Sequence, residues 1–127
     1  METDKVVARF KDGSLMKGRI HDFSLKKPTF HFETIEGEER KIDIEQLKAF
    51  FWVRDFNGDK YRKDCYNGKI NGGRKVRIRF FDGELMIGHT VCYSSKQTGF
   101  FIIPADLESN NLGVFVVKSA SEKIELL

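Results

Sequence analysis

Histidine, cysteine and carboxylate side chains carry much of enzyme chemistry, and the first two are scarce here: His21, His31, His89, Cys65 and Cys92. A metal centre needs ligands that a strand or turn brings together, as in HxH or HxxxH. None of the three histidines has a partner at such a spacing, so each reads as a strand or turn residue. A thiol nucleophile needs a base and an electropositive pocket to lower its pKa. Cys92 falls on the alternation face of Met86, Gly88 and Thr90, at or near a core, while Cys65 falls among turn residues. Two cysteines are too few for a disulfide framework, and both are read as reduced thiols. No GxSxG, phosphate loop or GxGxxG occurs, and the acidic residues are scattered on strand faces away from the apolar set. The expectation is no catalytic residue, no metal and no cofactor, hence a protein that is not an enzyme.

Basic and aromatic residues interleave in one place. Residues 1–52 hold ten Lys/Arg against ten Asp/Glu, and residues 75–127 hold six against six, so the net charge of +3 lies in residues 53–74. Arg54, Phe56, Lys60, Tyr61, Arg62, Lys63 and Tyr66 there suit stacking of bases on rings while cations follow a phosphate backbone. The field is weak: about one net charge per seven residues, screened over roughly 8 Å at physiological salt.

Elements must hold any such groups, and the composition says of what kind. A chain of 127 residues, 40% apolar and 13% aromatic with twelve Phe, is large and greasy enough to bury a core. No apolar run approaches the ~18 residues of a membrane span. The Met1-Glu2-Thr3-Asp4 start lacks the profile of a signal peptide. The expected setting is cytoplasmic, with no membrane contact.

An internal repeat organises the chain. Residues 5–18, KVVARFKDGSLMKG, recur as residues 75–88, KVRIRFFDGELMIG, and the match runs on through Phe23/Tyr93, Ser24/Ser94, Lys26/Lys96 and Phe30/Phe100. The apolar period is two: Val6, Ala8 and Phe10 alternate with Val7, Arg9 and Lys11, and Val76, Ile78 and Phe80 repeat this. Asp12-Gly13 and Asp82-Gly83 supply the left-handed backbone of a tight hairpin, both Gly and Asp tolerating that region. Gly18 and Gly88 fall inside the next strand, where a strongly bent strand needs a residue without a side chain; replacing either with Val should cost about 1–3 kcal/mol. Third strands are expected near residues 29–32 and 99–103, with later ones at 41–44, 50–53, 114–117 and 124–127. One helical turn is expected at residues 44–48. The expected fold class is all-β, two tandem small β-barrels at residues 1–53 and 74–127, joined by a basic Gly/Asn-rich linker at 54–73.

The Asp-Gly hairpins followed by Leu-Met-x-Gly resemble the first motif of the Sm-like barrels, and more loosely SH3-like ones. The family's second motif has no match: Leu47-Lys48-Ala49 and Lys118-Ser119-Ala120 stand in its place. The resemblance therefore implies a fold and not the Sm RNA site. The second half is also similar to an uncharacterised bacterial domain through Gly99-Phe100-Phe101, Pro104-Ala105-Asp106, Ser109-Asn110-Asn111, Val114-Phe115-Val116 and Ser119-Ala120, which implies no activity.

Three functions are expected in turn. The first is a binding or regulatory module for a protein partner, using edge strands and Trp52, Phe56 or Tyr61 as anchors. The alternative is weak single-stranded nucleic-acid binding by the 54–66 set with Arg9, Arg19, Arg77 and Arg79 on outward strand positions. The third is cyclic-dinucleotide binding of PilZ type, from a faint resemblance at Asp22-Phe23-Ser24 and residues 93–99. The oligomeric state stays open.

Overall fold

The computed structural model describes residues 5–24, 26–56, 74–90, 97–105 and 110–127. Ten strands form one antiparallel sheet: β1 (Val6–Phe10), β2 (Leu15–His21), β3 (Thr29–Thr34), β4 (Glu39–Asp43), β5 (Leu47–Val53), β6 (Arg74–Phe80), β7 (Leu85–Thr90), β8 (Gly99–Pro104), β9 (Asn111–Val117) and β10 (Ser121–Leu126). The all-β expectation holds. The helical turn expected at 44–48 is a 3₁₀ turn over Ile44–Gln46, with a second at Lys118–Ala120. Asp43 caps the first, its carboxylate accepting the Glu45 N–H at 2.9 Å, which satisfies a donor the short turn leaves free.

The spatial order is β10-β6-β7-β8-β9-β5-β1-β2-β3-β4. Val6 faces Gly18 and Val76 faces Gly88; Arg19 faces Glu33 and His89 faces Ile103. Both hairpins after the first strand of each half turn alike, Gly13 and Gly83 having φ of 92° and 93°. The aspartates beside them are not left-handed. Asp12 accepts the Ser14 N–H and Asp82 the Glu84 N–H, each at 2.9 Å, so the Asp works through its side chain and only the Gly through its backbone freedom. Among the described residues the left-handed non-glycine is Asp22, φ 47°, whose carboxylate is held by the His31 N–H at 2.8 Å and faces His31 Nδ1 at 2.9 Å.

Strands β5 and β9 join the two halves, Phe50 opposite Phe115 and Phe51 opposite Val114. Each of these strands is apolar on both faces because each face has its own core. Phe50, Phe115 and Val117 enter a core with Val6, Ala8, Phe30, Phe32, Ile42 and Ile44. Ala49, Phe51, Val53, Val114 and Val116 enter the other, with Val76, Ile78, Phe80, Phe100 and Ile102. Val7, which alternation sets on the face of Arg9 and Lys11, is buried in that second core, since the second half covers the back of β1. One face of the sheet is thus core in the first half and outer surface in the second.

Candidate binding face

The exposed part of that face begins at the junction. Across the sheet Phe101 on β8 faces Phe115, Phe115 faces Phe50, and Phe50 faces Ala8. Phe50 stacks on Phe115 with ring centres 5.0 Å apart and 18° between planes. Phe23, just after β2, sets its ring against Phe30, Phe50, Phe101 and Phe115 at 5.0–6.3 Å, mostly edge-on, an arrangement the ring quadrupoles favour. Trp52 lies 5.1 Å from Phe50 and 5.6 Å from Phe101.

Moving from Phe50 toward β8, the same face emerges from the core. Phe50 and Phe115 are sealed, Trp52 is half-buried, and Phe101 and Ile103 are 37% and 40% exposed. Ile103 faces His89, which faces Lys75; on the same side of β7, Ile87 faces Arg77 and Leu85 faces Arg79. Leu85 is 40% exposed. An apolar band therefore runs over β8 and β7 with a stripe of Lys75, Arg77 and Arg79 beside it. The Arg77 guanidinium donates to Glu125 at 2.6 Å, and Lys123 lies 3.3 Å from the same carboxylate. The guanidinium hydrogen bond, aided by Lys123, holds the Glu125 carboxyl below its ordinary value. His89 Nδ1 is buried with no hydrogen-bond partner among the described residues.

The residues expected to meet nucleic acid fare differently. Lys60, Tyr61, Arg62, Lys63 and Tyr66 lie outside the described residues, as do Cys65 and Cys92. Arg54 is exposed, its N–H bound to the Asn110 carbonyl at 2.9 Å. Phe56 packs against the second core, so its ring serves the interior. The Arg9 guanidinium sits 5.9 Å over the Phe51 ring. His21 and His31 face each other across β2 and β3, His21 beside Glu33 at 3.1 Å and His31 beside Asp22. Among the described residues no group of three or more His, Cys, Asp or Glu is placed to hold a metal, and no helix is long and apolar enough to cross a membrane.

Lys48 is a residue that sequence reasoning passed over. Phe10 pairs with Leu47 and Arg9 with Ala49, so Lys48 is the extra residue of a β-bulge, a device that re-aims a side chain. Its side chain is 8% exposed, and its ammonium reaches the second hairpin: 2.7 Å from Asp82, 2.7 Å from Glu84, and 4.7 Å over the Phe80 ring. A cavity of about 120 Å³ beside it is lined by Lys11, Phe81, Ser119 and Ala120 as well. A lysine on β5 thus pairs with two carboxylates of the second hairpin, which makes this a clasp between the halves.

The Lys48 hydrogen bond, with the Glu84 N–H, lowers the Asp82 pKa, and the His31 N–H and ring do the same for Asp22. A carboxylate lowered on folding adds stability that is present above the ordinary value of 3.8 and is lost as pH falls through the lower folded pKa. Carboxyl-carbon NMR titration should find Asp22 and Asp82 ionising below 3.8. In Lys48→Met the Asp82 titration should move back up while Asp22 stays put; an unmoved Asp82 would refute the clasp in solution.

The fold and face define an all-β protein of one ten-stranded sheet with an apolar band left open beside a basic stripe. The chain belongs to DUF6982, a family of unknown function whose model matches residues 2–127. Comparison with curated proteins and with solved structures finds no match.

Proposed function

We propose that the chain is a non-catalytic binding module of the cytosol, made of two copies of one barrel-like unit, that holds a protein partner on the open face of its second half. The carrying observation is the face itself. Side chains equivalent in direction to the sealed Phe50 and Phe115 become the exposed Phe101, Ile103 and Leu85 once past β9, and contiguous apolar surface of this kind beside polar residues marks interaction sites. Support for two copies comes from the pairings, which recur seventy residues on, as with Val6–Gly18 and Val76–Gly88. Aliphatic Leu85, Ile87 and Ile103 suit a bulky side-chain anchor more than a stacked base, and Phe56 is committed to the core. Lys75, Arg77 and Arg79 alongside favour a partner segment with acidic residues flanking that anchor.

Photo-crosslinkers placed at Ile103 and Leu85 should capture one polypeptide that crosslinkers at Glu39 or Glu45 do not. That polypeptide, purified, should bind the protein at least tenfold more weakly after Ile103→Asp, with unchanged circular dichroism. Equal capture from all four positions, or binding indifferent to Ile103→Asp, would remove this face from the function. Binding of a poly-U oligonucleotide lost with Ile103→Asp would put nucleic acid in the partner's place.

A further inference from the structure

Among the described residues the sheet ends in two edges, β10 and β4, and these are the counterparts of the strands that join the halves. In the first half Ala8 faces Phe50 and Val7 faces Phe51; in the second Ile78 faces Ile124 and Arg77 faces Glu125. Both pairings carry a bulge at the same place, beyond Arg9 and beyond Arg79. Strand β10 thus stands where β5 does, Lys123 for Ala49 and Glu125 for Phe51. Likewise Phe30 faces Ile42 and His31 faces Lys41, while Phe100 faces Val116 and Phe101 faces Phe115. Strand β4 stands where β9 does, Lys41 for Phe115 and Asp43 for Val117.

We infer that β10 and β4 are the two halves of a second junction of the β5–β9 kind, whose fitting occupant is another copy of this chain, and that Lys41, Asp43, Lys123 and Glu125 hold it shut. The inference rests on the reading of the halves as copies and is separate from the partner face. Carrying the β5–β9 register over places Ile124 opposite Lys41 and Glu125 opposite Arg40 of the next copy. Such an interface is head-to-tail, since each copy offers a different strand at each end, and it would propagate as a ring or a filament. At the internal junction the corresponding side chains are Ala49, Phe51, Phe115 and Val117, all buried. Lys41, Asp43 and Lys123 are exposed and Glu125 is half-buried, paired with Arg77. Seating a second copy would draw these four charges into the place of buried apolar groups, a desolvation cost that direct pairing of Glu125 with Arg40 offsets only in part. Charged side chains on edge strands are a recurrent means of stopping a sheet from growing.

Two variants test this. The first, Lys41→Phe with Asp43→Val, gives β4 the side chains of β9. The second, Lys123→Ala with Glu125→Phe, gives β10 those of β5. Each alone keeps one shut edge and should remain monomeric by light scattering at 50 µM or so, as should the parent. Mixed, they should form a 1:1 complex of twice the monomer mass, with Glu39→Cys on the first and Leu126→Cys on the second, the counterparts of the Gly113–Trp52 pair, forming a disulfide in a Cys65→Ser, Cys92→Ser background. Each variant is checked separately for a parent-like β spectrum and cooperative melt. Folded variants that stay monomeric on mixing overturn the inference, as does a parent that oligomerises through these edges. Self-dimers of the second variant alone overturn the head-to-tail geometry. A complex that forms without the 39–126 disulfide faults the carried-over register, and with it the reading of the halves as copies, while leaving edge pairing in place.

Discussion

Gly18→Ala should cost about 3–4 kcal/mol, more than the range of about 1–3 kcal/mol that the sequence leads us to expect even for Val, and a large share of the roughly 5–15 kcal/mol that holds an ordinary domain together. A Cβ built on Gly18 runs into the Glu33 carbonyl oxygen on β3 and comes 2.8 Å from the Phe32 ring. The carbonyl belongs to the backbone of a paired strand and cannot rotate away, so the strands must separate or the ring must leave its buried site. The equivalent Cβ on Gly88 is less confined, 2.5 Å from the Ile103 carbonyl oxygen and 3.2 Å from the Ile102 methyl, and Gly88→Ala should cost about 2 kcal/mol. Denaturant midpoints at constant m value report both. The ranking matters as much as the size, for equal small losses would mean that the β2–β3 crossing relaxes freely.

Removing the ammonium from the bulge comes next in size. Lys48→Ala leaves Asp82 and Glu84 facing each other without the cation that pairs them and takes the ammonium off Phe80; the expected loss is about 2–3 kcal/mol, because the lysine end of the pair is buried. Both carboxylates are about half exposed, and water will relieve part of their repulsion. Lys48→Met, which keeps the stem, should lose about 1 kcal/mol. Glu122 occupies the matching bulge position in β10, is exposed, and should be silent when changed to Ala. A double-mutant cycle of Lys48→Met with Asp82→Asn isolates the pair; zero coupling would mean that the clasp is only packing.

The strand positions were legible because they depend on local chemistry. Period-two alternation set the first strand of each half, Asp-Gly set the hairpins, and the helix formers Glu45-Gln46-Leu47-Lys48 between strand segments set the short turn. Lateral arrangement was not legible, because it is decided by contacts far apart in the chain. Phe50-Phe51-Trp52-Val53 reads as an aromatic end to a first barrel; its lack of alternation is the mark of a strand buried on both faces. That signal, set beside the equally continuous Val114–Val117, could have pointed to the junction. Val7 among outward residues was a second sign. Lys48 could not have been found this way, since a lysine in a strand ordinarily faces water and only the bulge turns it inward. The open face was half legible: Phe101 and Ile103 alternate with Phe100 and Ile102, yet which set meets solvent depends on where the first half ends.

The shared strands also bear on synthesis. A ribosome makes β1 to β5 first and reaches β9 about sixty residues later, a delay of several seconds at ordinary elongation rates. During that interval Ala49, Phe51 and Val53 on one side of the nascent sheet have no core to enter, and the β5 edge has no neighbour. Such a segment, rich in aromatics and nearly uncharged, is one that sticks to other nascent chains. Slow translation of residues 54–110 should therefore lower the yield of folded protein even though no residue of the finished molecule has changed.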